Sequence, residues 1–405
     1  MRVSTQEWLS EKAVIDIAAE LLSRRYGGSP ELSDAEVLGG SGNALVLRVH
    51  TSPSAFLPHR SLVIKYNPMT GHAIDDAAML REVVAYQFTT SLAEDVRPGP
   101  VLLAYDLDRR VLILSDIGEG DTLADALANG HEEERLHLLR SLGISLGQMH
   151  AGTAVREDDY QVLLNRILRQ HPDYADHQSI RDESLQDSIN IGMQILREAG
   201  VELPERIELY ATEAAKNLRS GKDRAFTPFD LSPDNVIVSN GLHFLDYEWA
   251  GFRNVGFDVA CVIAGFPQFL FARPISDEEA EVFTNAWMRE VKGIWPRFGD
   301  DDEVHRLLVY SLVGWALSSV TTMYAGGIEG VVALAQGEMD ISYDPKTSLL
   351  RPASSKNFTD DELLIRRDLF ETFDAVRRFS ANCDDPRCVP VVEFGDMVCE
   401  RVKDK

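Results

Sequence analysis

Asp230, Asn235 and Asp246 are the side chains best suited to chemistry in this 405-residue sequence, because three oxygen-bearing groups recur within one short stretch, Thr227 to Asp246. Magnesium prefers one or two carboxylates together with substrate phosphates and keeps several waters, so Asn235 and Asp246 suit it as ligands. Asp230 is then left as a base that can orient an acceptor hydroxyl and take its proton as a phosphoryl group moves. Phosphates also need a cradle. Leu38-Gly39-Gly40-Ser41-Gly42-Asn43-Ala44 lies between two apolar runs, and a glycine-rich turn lets backbone N–H groups approach phosphate oxygens. Lys65 closes the run Leu62-Val63-Ile64, an awkward place for an ammonium group unless an anion meets it. Glu82 is its candidate partner, holding it toward the phosphates of a nucleotide.

These residues need elements to position them. Val236 to Val238 and Leu242 to Leu245 read as short strands, and Asn240-Gly241 between them is a hairpin signal, so folding the hairpin gathers the three oxygen ligands at one edge. By strand alternation Glu248 falls on the same side as Asp246, where a carboxylate beside Tyr247 and Trp249 would attract a cationic acceptor. Val46 to His50, Leu62 to Lys65 and Val111 to Leu114 read as strands, with one helix over Ile74 to Leu92. After Leu123 helical periods dominate: Glu133 to His150, Leu163 to Arg169, Ser184 to Ala199, Glu205 to Leu218, Asp277 to Val291 and Asp361 to Phe379. The expected fold class is therefore α+β and bilobal. A small β-rich lobe (1–116) would bind the nucleotide, and a larger helical lobe (117–405) would carry the catalytic loop and acceptor site, with ligands held in the cleft between them. Residues 325–358, rich in Gly, Pro, Ser and Asp, read as a loop or lid.

Composition sets bounds. With 40 Lys+Arg against 65 Asp+Glu the net charge is −25 and no basic cluster interrupts it, which argues against nucleic acid as a partner. The same balance favours a cationic small-molecule acceptor, since a negative cleft concentrates positive ligands. Leu307 to Ile328 carries no charge, but its apolar spacing and its Ser, Thr and Gly content suit a buried helix better than a membrane span. Four cysteines are too few to staple a chain of this size, and the first residues lack an apolar leader, so a cytoplasmic protein is expected.

The order of glycine-rich turn, strand lysine, helix glutamate, hinge, Asp-x4-Asn, hairpin and Asp is that of protein-kinase-like enzymes. More specifically, Phe229-Asp230-Leu231-Ser232-Pro233-Asp234-Asn235-Val236-Ile237-Val238, Leu245-Asp246-Tyr247-Glu248-Trp249-Ala250-Gly251 and Gly256-Phe257-Asp258-Val259-Ala260 resemble the aminoglycoside phosphotransferase and choline kinase family. Gly39 to Asn43 resembles its phosphate loop and Leu112 to Gly118 its hinge. The resemblance implies a kinase moving the γ-phosphoryl group of ATP, with Mg²⁺, to a hydroxyl of a small molecule. Asp230 would be the catalytic base, Asn235 and Asp246 the magnesium ligands, and Lys65 and Glu82 the phosphate-binding pair. Backbone groups of Ser115 and Ile117 would bind adenine, and Asp258 would brace the catalytic loop. Glu248 matches the Asp-aromatic-Glu pattern of choline kinases. Pro228 stands where the family usually has His, two residues before the catalytic Asp. Within this fold the alternative acceptors are choline, another amino alcohol or a sugar; outside it, the alternative is a nucleotide-binding pseudokinase with a regulatory role.

Overall fold

The computed structural model describes residues 8–39, 44–52, 56–270, 273–355 and 358–403. Along the chain run α1 (Glu11–Tyr26), β1 (Leu32–Leu38), β2 (Leu45–Thr51), β3 (Ser61–Tyr66), α2 (Ala73–Asp76), α3 (Ala78–Thr90), β4 (Leu102–Asp106), β5 (Val111–Ser115), β6 (Asp121–Thr122), α4 (Leu123–Asn129), α5 (Glu132–Thr153), α6 (Glu157–Gln170) and α7 (Ala175–Glu198). There follow α8 (Glu205–Arg219), β7 (Arg224–Thr227), β8 (Val236–Val238), β9 (Leu242–Phe244), β10 (Gly251–Asn254), α9 (Gly256–Ile263), α10 (Asp277–Val291), α11 (Asp301–Ala325), α12 (Ile328–Ala335), α13 (Asp360–Ala381) and α14 (Val389–Val402). The chain packs as two units. One takes in the chain up to Gly120 with Asp158–Gln178 and His243–Trp249; the other holds Asp121–Glu157, Ser179–Leu242 and the remainder from Ala250.

The first unit is built on a five-stranded antiparallel sheet of order β1-β2-β3-β5-β4. Alternation along β3 sends Leu62, Ile64 and Tyr66 into a core shared with Val14, Ala18, Leu21 and Leu22 of α1, and so puts Lys65 on the opposite face. Helix α1 was not expected in a β-rich segment. Its signal was nevertheless present: Ser10 caps it, accepting from Ala13 N, and its buried residues recur at helical spacing.

The single helix expected over Ile74 to Leu92 is broken at Ala77 into α2 and α3. Asp76 turns its carboxylate back to the N–H groups of Thr70 (2.8 Å) and Gly71 (3.2 Å), while Arg110 takes the Asp76 carbonyl at 3.1 Å, so polar contacts from outside the helix hold both ends of this residue. Beyond the break α3 is almost wholly buried.

The second unit is mainly helical. Helix α11 is the only described helix long and apolar enough to cross a membrane, and 72% of its most apolar window is buried within the protein, as befits a core helix. The described part of 325–358 is irregular apart from the end of α11 and α12, as its composition suggested. Arg351 and Arg366 tie down its far end: Arg366 donates to the carbonyls of Leu349 and Arg351, Arg351 pairs with Glu362 at 2.8 Å, and the guanidinium groups of Arg351 and Arg366 lie over Phe358, at 3.9 and 4.1 Å.

Candidate active site

Within the first unit the structure brings Lys65, Glu82 and Asp246 together. Lys65 Nζ donates to Glu82 Oε1 at 2.8 Å and to Asp246 Oδ1 at 2.9 Å. Asn67 Nδ2 adds a 3.4 Å contact to the other Glu82 oxygen. The Glu82 side chain is 1% exposed and that of Lys65 14%, whereas Asp246 retains 36%. Burial alone would lower the Lys65 pKa, but the charges of Glu82 and Asp246 outweigh it and hold the ammonium form well past its ordinary range. Burial pushes Glu82 up to about 7 against the pull of Lys65, with Asp246 and Glu248 adding to the rise. One cation thus serves two carboxylates, with a third in electrostatic reach.

Asp246 lies two residues beyond β9 with φ +57°, and Tyr247–Trp249 forms a 3-10 turn. The strand alternation used to place Glu248 therefore does not apply. Its place beside the site rests instead on its field at Glu82. Two unforeseen neighbours fix the turn: Tyr86 Oη accepts from Asp246 N at 3.3 Å, and Pro98 O accepts from Phe244 N at 2.7 Å. Tyr86 sits four residues after Glu82, a helical spacing that could have revealed it.

The hinge is also locked within this unit. Asp116 accepts from Ser61 Oγ (2.8 Å), Arg48 Nε (3.0 Å) and Gly118 N (3.0 Å). Ser115 N donates to Val101 O at 2.9 Å. Ile117 is half-buried beside it. Of the glycine-rich turn only Gly39 is described, with nothing within 4 Å of a Cβ built there; Gly40, Ser41, Gly42 and Asn43 lie outside the described residues.

In the second unit Asp230 and Asn235 meet. Asn235 Nδ2 lies 3.4 Å from Asp230 Oδ2, Ser232 N donates to Asp230 Oδ1 at 3.1 Å, and Asn235 ends the 3-10 turn Pro233–Asn235. With its amide nitrogen turned to Asp230, Asn235 has its oxygen as the remaining polar atom. Among the described residues no group of three or more His, Cys, Asp or Glu side chains is placed to hold a metal alone. The Asn235 oxygen in this unit and the partly exposed Asp246 carboxylate in the other are each the kind of oxygen donor that magnesium takes when phosphates supply the rest, so each residue by its own chemistry fits that ion.

Asp258 is fully buried on α9, and its carboxylate lies 3.2 Å from His150 Nε2. Trp287 Nε1 donates to His150 Nδ1 at 3.0 Å; an indole only donates, so the imidazole is neutral and carries its proton on Nε2, toward Asp258. Burial raises the Asp258 pKa, while His150, Arg253 and the Phe229 backbone N–H oppose the rise. The last contact reaches the residue before Asp230. Phe229 has φ +66°, and its ring is held between Trp315 at 5.1 Å and the Arg253 guanidinium at 4.9 Å. Those contacts support the strained backbone of Phe229, which follows Pro228. Trp287 and Arg253 had no sequence signal, since their partners lie far away in the chain.

Among solved structures the chain is similar to a choline/ethanolamine kinase family protein from Mesorhizobium loti (14% identity, 95% of this chain and 99% of that one, TM-score 0.44). It is similar too to the choline kinase LicA from Streptococcus pneumoniae (14% identity, 90% and 99%, TM-score 0.42). A third is APH(2")-IIa in a ternary complex with streptomycin and ATP (15% identity, 81% and 97%, TM-score 0.41). No curated protein matches the sequence. The profile of the phosphotransferase enzyme family matches residues 60–297, a span that holds Lys65, Glu82, Asp230, Asn235, Asp246 and Asp258. With more than half of its length matched by that profile, the chain belongs to the phosphotransferase enzyme family.

Proposed function

We propose that the protein is an ATP-dependent small-molecule kinase that transfers the γ-phosphoryl group to a hydroxyl of a small, cationic acceptor. The observation that carries this reading is Lys65, an ammonium group on the sheet face away from the core, bracketed by Glu82 and Asp246 and kept charged by them. Such a group has no structural need for two carboxylates, but it is what a polyphosphate requires. In this reading Glu82 holds Lys65 toward the phosphates, the Gly39 to Asn43 turn supplies amides, and the Ser115 carbonyl and Ile117 N–H receive adenine. Asn235 and Asp246 are the magnesium ligands, and the bound ion would neutralise phosphate charge. Asp230 orients the acceptor hydroxyl. As the acceptor oxygen bonds to the γ-phosphorus, the bond to the bridging oxygen breaks, ADP leaves, and the hydroxyl proton passes to Asp230. Asp258 steadies that loop through the Phe229 amide. Glu248, beside Tyr247 and Trp249, supplies negative charge for the acceptor cation.

The test is ADP release from Mg·ATP across aminoglycosides, amino alcohols, neutral sugars and hydroxy amino acids. Stimulation by a cationic class is the expected result. Stimulation by neutral sugars alone would remove the cationic acceptor, and Mg·ATP binding with no stimulation by any class would favour a pseudokinase.

A further inference from the structure

We infer that Tyr86 is a positioning residue for Asp246, its phenol oxygen holding the Asp246 backbone N–H and thereby aiming the carboxylate. The inference rests on the reading of Asp246 as a metal ligand. Asp246 adopts φ +57°, a conformation that costs a non-glycine residue energy and persists only where its surroundings impose it. The surroundings here are specific. Tyr86 is 1% exposed, its Oη accepts from Asp246 N at 3.3 Å, and its ring packs against that of Tyr247 with centroids 4.8 Å apart. On the other side of the turn, Phe244 N is held by Pro98 O, and Gly99 approaches so closely that a Cβ there would lie 2.6 Å from Phe244 O and 2.8 Å from Tyr247 Oη. Neither contact reaches Asp246 itself.

Helix α3 therefore grips Asp246 at two atoms. Glu82 reaches the carboxylate through Lys65, and Tyr86, one helical turn later, reaches the backbone N–H directly. When nucleotide phosphates engage Lys65, the carboxylate contact is weakened, and the phenol contact is the one that still fixes the residue. Ring packing and hydroxyl can be separated, because Tyr86→Phe keeps the first and removes only the second.

The experiment is a titration of the full chain with Mn²⁺ in the presence of ADP, followed by electron paramagnetic resonance, so that no acceptor is needed. Wild type, Tyr86→Phe and Asp246→Asn are compared, with the melting temperature of each recorded without metal. Tyr86→Phe is expected to raise the half-saturating Mn²⁺ concentration about threefold to tenfold, the scale of one hydrogen bond to a polar group, and Asp246→Asn to raise it further. If Tyr86→Phe lowers only the melting temperature and titrates like wild type while Asp246→Asn does not, Tyr86 is structural and the inference is overturned with the metal assignment intact. If neither variant shifts the titration, the assignment of Asp246 falls and takes the inference with it.

Discussion

Lys65, paired with Glu82 and Asp246, is the residue on which the proposed nucleotide site turns. Replacing it by Met removes the cation that pairs with Glu82 and Asp246 among the described residues, so Mg·ATP binding is expected to weaken at least tenfold by calorimetry. A second residue-scale prediction concerns Asp368 on α13, 7% exposed, whose two oxygens each lie 3.2 Å from Gln268 N. Burial raises its pKa from 3.8 to about 7 against that contact, with Glu371 adding to the rise. The folded state therefore binds more protons than the unfolded state between those values, and stability falls as pH rises through that window. Urea unfolding at pH 5 and 7.5 should show wild type losing on the order of 2 kcal/mol relative to Asp368→Asn. Residue types and spacing were enough to select Lys65, Glu82, Asp230 and Asn235 as candidates. They could not select Arg253 or Trp287, because a hydrogen bond across long sequence separation leaves no periodic trace, whereas the helical spacing of Tyr86 from Glu82 was there to be read.

At the scale of elements, glycine decides how closely helices meet. A Cβ on Gly143 of α5 would lie 2.4 Å from Phe283 O of α10, and one on Gly147 would lie 2.7 Å from the Glu290 side chain. This close approach lets Trp287 on α10 reach His150 on α5, and through it Asp258. Gly143→Ala is therefore expected to destabilise the protein by about 2–4 kcal/mol, since a backbone atom cannot yield as a side-chain tip can, and thermal or urea unfolding measures the loss. The apolar periods placed α5, α8, α10 and α13 within a few residues, began α6 and α7 too late, and left α1, α4, α9, α12 and α14 unread. They failed at Ala77, where Asp76 and Arg110 override helical propensity, and at Asp246 to Trp249, where a tight turn replaces the extension of a strand. In residues 325–358 the described stretch beyond α12 is irregular, as its composition suggested, while Arg351 within it and Arg366 just after it tie its far end down.

For the whole molecule, composition indicated a large core and the absence of a charge pattern for nucleic acid, and the family profile agrees with the ordered motifs from Lys65 to Asp258. The clasp of Arg351 and Arg366 over Phe358 ties the segment before α13 to that helix. Arg366→Met leaves the carbonyls of Leu349 and Arg351 without their donor and is expected to cost about 3 kcal/mol, read by urea unfolding. The central claim is that Asp230 takes a proton from the acceptor during phosphoryl transfer. It is tested most directly by acceptor-stimulated ADP release in Asp230→Asn beside wild type, at matched occupancy by Mg·ATP. The expected result is a rate lowered about 10²- to 10⁴-fold with nucleotide affinity retained. An Asn variant that turns over at the wild-type rate would contradict the account.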